Sequence, residues 1–259
     1  MKFIVIGDIV GNAGKKAVEM LLNSLKEKYK PQLTIANGEN IARGRGITHS
    51  DYKWLLNQGI DVITLGNHAF DHRDIYSFID QAKVMVRPLN LSEDTPGKGI
   101  HFIKVNQHEI AVINILGQAF MKNDISPFKI LEEQLLAIKK RTSNIIIDFH
   151  AESTSEKQAM AHWLDGQVSF VYGTHTHVQT NDLRILTNGT GYISDIGMTG
   201  AVDSIIGFNK EDVIQRFTTK PKQRLSVEEN GQVMLNGIFF EINPMTNQTI
   251  SAQTIHLTY

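Results

Sequence analysis

Short apolar runs alternate with longer amphipathic stretches along the first third of the chain. Residues 3–6, 32–36 and 62–65 have the length of strands and are apolar at nearly every position, whereas 15–28, 50–57 and 74–82 carry helical periodicity. That alternation predicts βαβ units whose strands are buried on both faces. From residue 84 to residue 120 the texture changes: Pro88, Pro96, Gly97 and Gly99 precede two strand-like runs, 101–105 and 109–116, which predict a hairpin around Asn106-Gln107-His108. This stretch reads as an insertion suited to a lid or an interface.

A helix is predicted over 127–140, with Pro127 at its start and Lys139-Lys140-Arg141 at its end, where cations suit the helix dipole. Strand-like runs follow at 144–149 and 168–172, separated by a helix-like 155–164. Beyond Gly207 the pattern becomes antiparallel, with strands at 232–242 and 249–257 joined through Pro244-Met245-Thr246-Asn247. No repeat, linker or low-complexity tract interrupts the chain. The expectation is therefore one domain over 1–259, an α/β sandwich in which a largely parallel sheet gains antiparallel strands.

Composition narrows the function classes. The 259 residues hold 26 Lys+Arg against 27 Asp+Glu, and a formal charge of −1 argues against a protein that coats long nucleic acid. There is no cysteine, which removes disulfides, thiolate metal sites and a cysteine nucleophile and leaves oxygen and imidazole groups as the metal ligands. The opening apolar run ends after four residues at Gly7-Asp8, too short for a signal-peptide core, and no apolar stretch approaches a membrane span. A cytoplasmic protein with no membrane partner is expected.

The chemistry-bearing residues recur at the ends of the predicted strands: Ile6-Gly7-Asp8, Ala36-Asn37-Gly38-Glu39-Asn40, Leu65-Gly66-Asn67-His68, Asp148-Phe149-His150 and Gly173-Thr174-His175-Thr176-His177. In open α/β sheets, ligands bind outside the carboxyl ends of strands, so these segments are placed to converge. The glycines are expected where the backbone leaves a strand with φ > 0. Two carboxylates, two Asn side chains and three or four imidazoles exceed what one metal uses, and two ions bridged by a carboxylate such as Glu39 suit displacement at phosphorus. With Asp8 and Glu39 as the only anionic ligands, two 2+ ions leave a charge of about +2, which attracts a phosphate ester.

The order Asp, Glu-Asn, Gly-Asn-His, His, His-x-His is similar to the calcineurin-like metallophosphoesterase superfamily. Val10 stands where that superfamily usually has a histidine, Glu39-Asn40 replaces its bridging Asp segment, Ala69 follows Asn67-His68, and Thr174 precedes His175. With Gly7-Asp8-Ile9-Val10-Gly11 and Ser194-Asp195-Ile196-Gly197-Met198-Thr199-Gly200, these departures resemble the bacterial YmdB-like branch over essentially the whole chain. The resemblance implies a four-layer α/β/β/α sandwich with mixed sheets and two divalent or trivalent ions, iron or manganese. It also implies a phosphodiesterase that uses a metal-bound hydroxide on cyclic nucleotides, 2′,3′-cyclic ahead of 3′,5′-cyclic. It places Asp8, Glu39, Asn40 and His177 on one metal, and Glu39, Asn67, His150 and His175 on the other. His68 becomes the acid that protonates the leaving oxygen.

Each of these residues also has a local reading. Asp8 could cap the helix that follows, Asn40 and Asn67 suit turns, His150 could be a satisfied core histidine, and Asp71 could either orient His68 or cap a helix beginning near Asp74. Arg43 and Arg45, in a glycine-rich loop directly after Glu39, could hold a substrate phosphate or belong to a mobile solvated loop. Thr199, in a run of small residues, could form a pocket wall. The same ligand set also serves a nuclease or phosphomonoesterase. A third alternative is a regulatory module that binds a nucleotide or an RNA-processing partner, and the sequence leaves room for a homo-oligomer.

Overall fold

The computed structural model describes residues 1–219 and 224–259. β1 (Lys2–Ile6) and the two-residue β2 (Asp8–Ile9) lead into α1 (Gly11–Tyr29), and β3 (Leu33–Asn37) leads into α2 (His49–Asn57). β4 (Val62–Thr64) follows, then two 3-10 helices, Arg73–Ser77 and Ile79–Gln81, and β5 (Met85–Val86). Next come β6 (Ile100–Val105), β7 (His108–Leu116), α3 (Pro127–Lys139), β8 (Ile145–His150), α4 (Thr154–Trp163) and β9 (Phe170–Thr174). The chain ends with β10 (Arg184–Ile185), β11 (Gly191–Ile193), β12 (Met198–Ala201), α5 (Lys210–Thr219), β13 (Val233–Ile242) and β14 (Thr249–Thr258).

These strands form two mixed sheets. The first runs β2-β12-β13-β1-β3-β4-β5, with β14 also on β13; the second runs β10-β11-β9-β8-β7-β6. Parallel pairing of β1, β3, β4 and β5, and of β7, β8, β9 and β11, sends their carboxyl ends in a common direction within each sheet. The apolar runs are continuous because both faces of the central strands are covered. Phe3 and Val5 of β1 meet Ile146 and Phe170 between the sheets, while Ile4 and Ile6 pack with Ala17, Val18 and Leu22 of α1. On the far side, Ile145, Ile147 and Phe149 of β8 pack against Leu131 and Leu135 of α3 and Met160 of α4. Three apolar layers thus separate four layers of secondary structure, the α/β/β/α sandwich that the motif order implies. Each fully buried Ile or Phe contributes about 1.5–3 kcal/mol to holding the layers together.

Two predicted elements differ. The helix expected over 74–82 is instead two 3-10 helices that meet at Phe78 (φ −137°, ψ −13°), and they still bury Ile75 and Ile79. Beyond Gly207 the pattern is read as antiparallel with no helix, but α5 occupies Lys210–Thr219, with Val213 alone of its residues buried. Within the stretch 84–120, β5 extends one sheet and the β6–β7 hairpin forms the edge of the other. Among the described residues, no helix is long and apolar enough to cross a membrane.

Candidate metal centre

All seven predicted ligand positions lie at one end of the sandwich, where the carboxyl ends of strands from both sheets meet. Asp8 opens β2, Glu39 and Asn40 follow β3, and Asn67 follows β4, all on the first sheet. His150 ends β8, and His175 and His177 follow β9, on the second. The local alternative for Asp8 is excluded, since the cap of α1 is Val10 and no side chain caps that helix.

The centre is tight. His150 Nε2 lies 2.8 Å from Asn67 Oδ1, 3.1 Å from Glu39 Oε1 and 3.1 Å from His175 Nδ1. Ligand atoms of Glu39, His150 and His175 fall within 4.8 Å of one another, a grouping able to hold a metal ion. Beside it, His177 Nε2 lies 3.1 Å from Asn40 Nδ2 and 4.0 Å from Asp8 Oδ1. Asn40 Nδ2 also donates to Glu39 Oε1 at 3.2 Å, so a half-turn of the amide would bring its oxygen to this second group.

The outward nitrogens of the histidines are held as metal-ligating rings require. His150 Nδ1 lies 2.8 Å from Thr174 Oγ1, whose hydroxyl donates to Asp148 Oδ1 at 2.6 Å. His177 Nδ1 lies 2.9 Å from the Ile206 carbonyl, and His175 Nε2 lies 3.0 Å from Glu152 Oε2. Thr174, Asp148 and Glu152 had no assigned role in the sequence. Thr174 and Asp148 did sit inside motif segments, whereas Glu152 showed no periodicity or spacing that marks it.

The electrostatics of the centre are set by buried carboxylates facing imidazole rings. Asp8 is fully buried and its Oδ1 has no hydrogen-bond partner, an arrangement that is costly unless a cation completes it. Burial pushes the Asp8 carboxyl up, against the pull of His177 and His150. Burial would also raise Glu39, but the adjacent His150 ring and the His68 amide hold it at about 2. Burial works against charge on His150 as well, yet Glu39 and Asp8 raise it to about 9. Burial and the neighbouring His150 lower His175 to about 3, and burial lifts Asp148 to about 7. Glu39 and His150 thus each hold the other toward its charged form. Oxygen and imidazole donors around an unpartnered buried carboxylate oxygen fit a divalent metal ion.

The glycines at the strand ends act through close approach and not through φ. A Cβ on Gly66 would collide with Glu39 Oε2 and lie 2.5 Å from His150 Nε2; one on Gly7 or Gly173 would strike the carbonyls of Gly197 or Ser194. The left-handed backbone falls on His175 (φ 97°) and His177 (φ 67°) instead. Such strain persists only where surroundings fix it. A buried ion pair does so here: Lys157 Nζ reaches Asp195 Oδ2 and the Thr174 carbonyl, each at 2.9 Å, and Asp195 Oδ2 accepts the Thr176 N–H at 3.0 Å.

The centre opens into a cleft of about 620 Å³, lined among others by Arg45, His68, Ile206, Phe208 and Phe217. His68 Nδ1 is held by Asp71 Oδ2 at 2.8 Å, which makes Asp71 an orienting group and leaves Nε2 as the free ring nitrogen. The short 3-10 helix nearby is capped by His72. Arg45 lies 3.9 Å from Asp71, while Arg43 faces an adjoining trough and not the cleft. Thr199 is not a pocket wall. It is fully buried in β12 opposite Ile9, and its hydroxyl donates to the Asn236 carbonyl at 3.4 Å.

A family model described as YmdB-like protein matches residues 4–255. Over 255 residues, 98% of this chain and 96% of the relative, the sequence is 46% identical to a 2′,3′-cyclic-nucleotide 2′-phosphodiesterase of Bacillus subtilis. Among solved structures, a novel phosphatase from Mycoplasma pneumoniae superposes with a TM-score of 0.93 at 37% identity, covering 100% of this chain and 93% of that one. A hypothetical protein from Thermus thermophilus superposes equally well, 0.93 at 36% identity, covering 100% and 99%.

Proposed function

The chain belongs to the YmdB-like family, and from that premise we propose that it is a metal-dependent phosphodiesterase whose substrate is a 2′,3′-cyclic nucleotide. The observation that carries the reading is the orphaned, fully buried Asp8 Oδ1 beside a cluster of oxygen and imidazole donors at the floor of an open cleft. Asp8, Asn40 and His177 would hold one ion, Asn67, His150 and His175 a second, and Glu39 would bridge both. Two such ions supply a water that ionises near neutral pH and positive charge for the phosphate oxygens.

The remaining work falls to the chain's own side chains. His68, with Nδ1 tied to Asp71, presents Nε2 to the cleft and would deliver a proton to the departing O2′. In balance, water adds to phosphorus, the P–O2′ bond breaks, and the proton goes to O2′, leaving a 3′-phosphate. Arg45 at the cleft wall would pair with a non-bridging phosphate oxygen. Asp71 accepts from His68 Nδ1–H and fixes the orientation of the ring, so the form that acts as the acid is the imidazolium, whose second proton sits on the cleft-facing Nε2.

The test is hydrolysis of adenosine 2′,3′-cyclic monophosphate by manganese-loaded protein, with Glu39→Gln as control and metal per chain measured on both. Turnover that disappears with Glu39→Gln is the expected result. A wild-type chain that holds two metals and turns over nothing would overturn the substrate assignment.

A further inference from the structure

The cleft does not end at the metal centre. It runs into a trough of about 570 Å³ lined by Arg43, Arg45, His72, Arg216 and Arg224, and the two cavities share Arg45, Arg216, Phe208 and Leu225. Four guanidinium groups from two distant stretches of sequence thus surround one groove, in a chain whose formal charge is −1. Among the described residues, no carboxylate lines this trough. Asp71 is shared with His68 and lies 3.9 Å from Arg45, and Glu229, beside Arg43 and Arg224, accepts from Asn12 Nδ2 at 3.0 and 3.1 Å. Among the described residues, Arg43, Arg216 and Arg224 have no carboxylate within 4.0 Å. Crowding like charges around a groove is unfavourable unless an anion sits between them.

The loop carrying Arg43 and Arg45 is also well fixed. The Ala42 N–H donates to the Gly46 carbonyl, the Gly44 N–H to the Asn40 carbonyl and the Arg45 N–H to the Ala42 carbonyl, at 3.0, 3.0 and 3.2 Å. Gly44 and Gly46 have positive φ and leave no room for a Cβ against Val227 and His72. Guanidinium groups presented from a rigid loop and a helix match the fork geometry of phosphate oxygens. Phe208 and the exposed Phe217, in the cleft wall, offer faces on which bases stack.

A cyclic mononucleotide has one phosphate, and the metal centre takes it. The trough is useful only to a substrate with further phosphates along its chain. We propose that it binds the upstream phosphates of a short oligoribonucleotide whose terminal 2′,3′-cyclic phosphate lies at the metal centre, so that RNA ends are the preferred substrates. This rests on the phosphodiesterase reading above and adds no chemical step to it.

The experiment compares manganese-loaded wild-type protein with R216A/R224A on two substrates: adenosine 2′,3′-cyclic monophosphate, and pentaadenylate ending in a 2′,3′-cyclic phosphate. Loss of a charge-assisted hydrogen bond to phosphate weakens an interaction about tenfold or more. Wild type should favour the pentamer in kcat/KM by at least about that factor, and the double variant should lose correspondingly more on the pentamer than on the monomer. In parallel, anisotropy of labelled pentaadenylate ending in a 3′-phosphate, which is not turned over, should show log affinity against log salt losing a slope of about 0.7 per arginine removed. Equal kcat/KM on the two substrates, or equal losses with an unchanged salt slope, would overturn the proposal and leave the phosphodiesterase reading intact. If metal-loaded protein turned over neither substrate, that reading would fail. The anisotropy would then decide the trough, supporting it if pentamer affinity depends on Arg216 and Arg224 and overturning it if not.

Discussion

His68 is the residue whose role is most open to direct measurement. Its Nδ1 is committed to Asp71 and it is not among the grouped ligand atoms, so His68→Ala should retain metal while kcat falls by about 10²–10⁴, the usual contribution of a general acid. A loss of metal together with activity would show that the ring also shapes the metal site. Gly66→Ala should behave in the opposite way: the added Cβ strikes Glu39 Oε2 and the His150 ring, so metal per chain falls before any question of turnover arises. At this scale the sequence was informative wherever chemistry and position coincided, as at Asp8, Glu39 and His150, because a polar group ending an apolar run is conspicuous. It was uninformative for Lys157, which reads as one more cation on an amphipathic helix although it is only 2% exposed. It also misattributed the glycines, since close approach by a residue distant in the chain leaves no local trace.

Among the elements, the loop after β9 depends most on its support. Two histidines in left-handed backbone are held by α4 through Lys157 and by the turn before β12 through Asp195. Lys157→Met leaves the Asp195 carboxylate buried without its cation, a change that costs about 3–5 kcal/mol. A lowered midpoint in denaturant should therefore accompany reduced metal content, and an unchanged metal titration would show that the loop holds its shape without the pair. The long, strongly periodic elements were legible in the sequence, and the weakly anchored ones were not. α5 carries Val213, Ile214 and Phe217 at helical spacing but buries Val213 alone, so its stripe is short and mostly faces outward instead of marking a core-facing element. Between 74 and 82, the apolar spacing of Ile75, Phe78, Ile79 and Ala82 suits an α-helix as well as the broken 3-10 path, and backbone torsion at Phe78 decides between them.

For the whole molecule, the proton on His150 links metal, pH and stability. The ring is raised to about 9 against an ordinary 6.5, so in metal-free protein its contribution is complete below pH 6.5 and is lost as pH rises through about 9. Thermal unfolding of metal-free protein should accordingly show a falling Tm across that interval. Metal loading displaces the same proton, so apparent metal affinity should rise over the same interval and the loaded protein should show a flatter profile. A metal-free Tm that did not fall between pH 6.5 and 9 would sink this account.

The two sheets also draw on the chain differently. The second is built from one continuous stretch, 100–193, whereas the first takes strands from both sides of it, with β1 between β3 and β13. Every predicted ligand precedes residue 178, yet β1, which carries the chain into Asp8, has an open edge until residues 233–242 pair with it, and the N-terminal amine itself donates to the Ile242 carbonyl. A growing polypeptide on the ribosome therefore holds every predicted ligand before β1 gains its β13 neighbour, and metal capture is expected only once residues 233–242 have emerged. A fragment ending shortly after His177 would hold all the right residues and no centre.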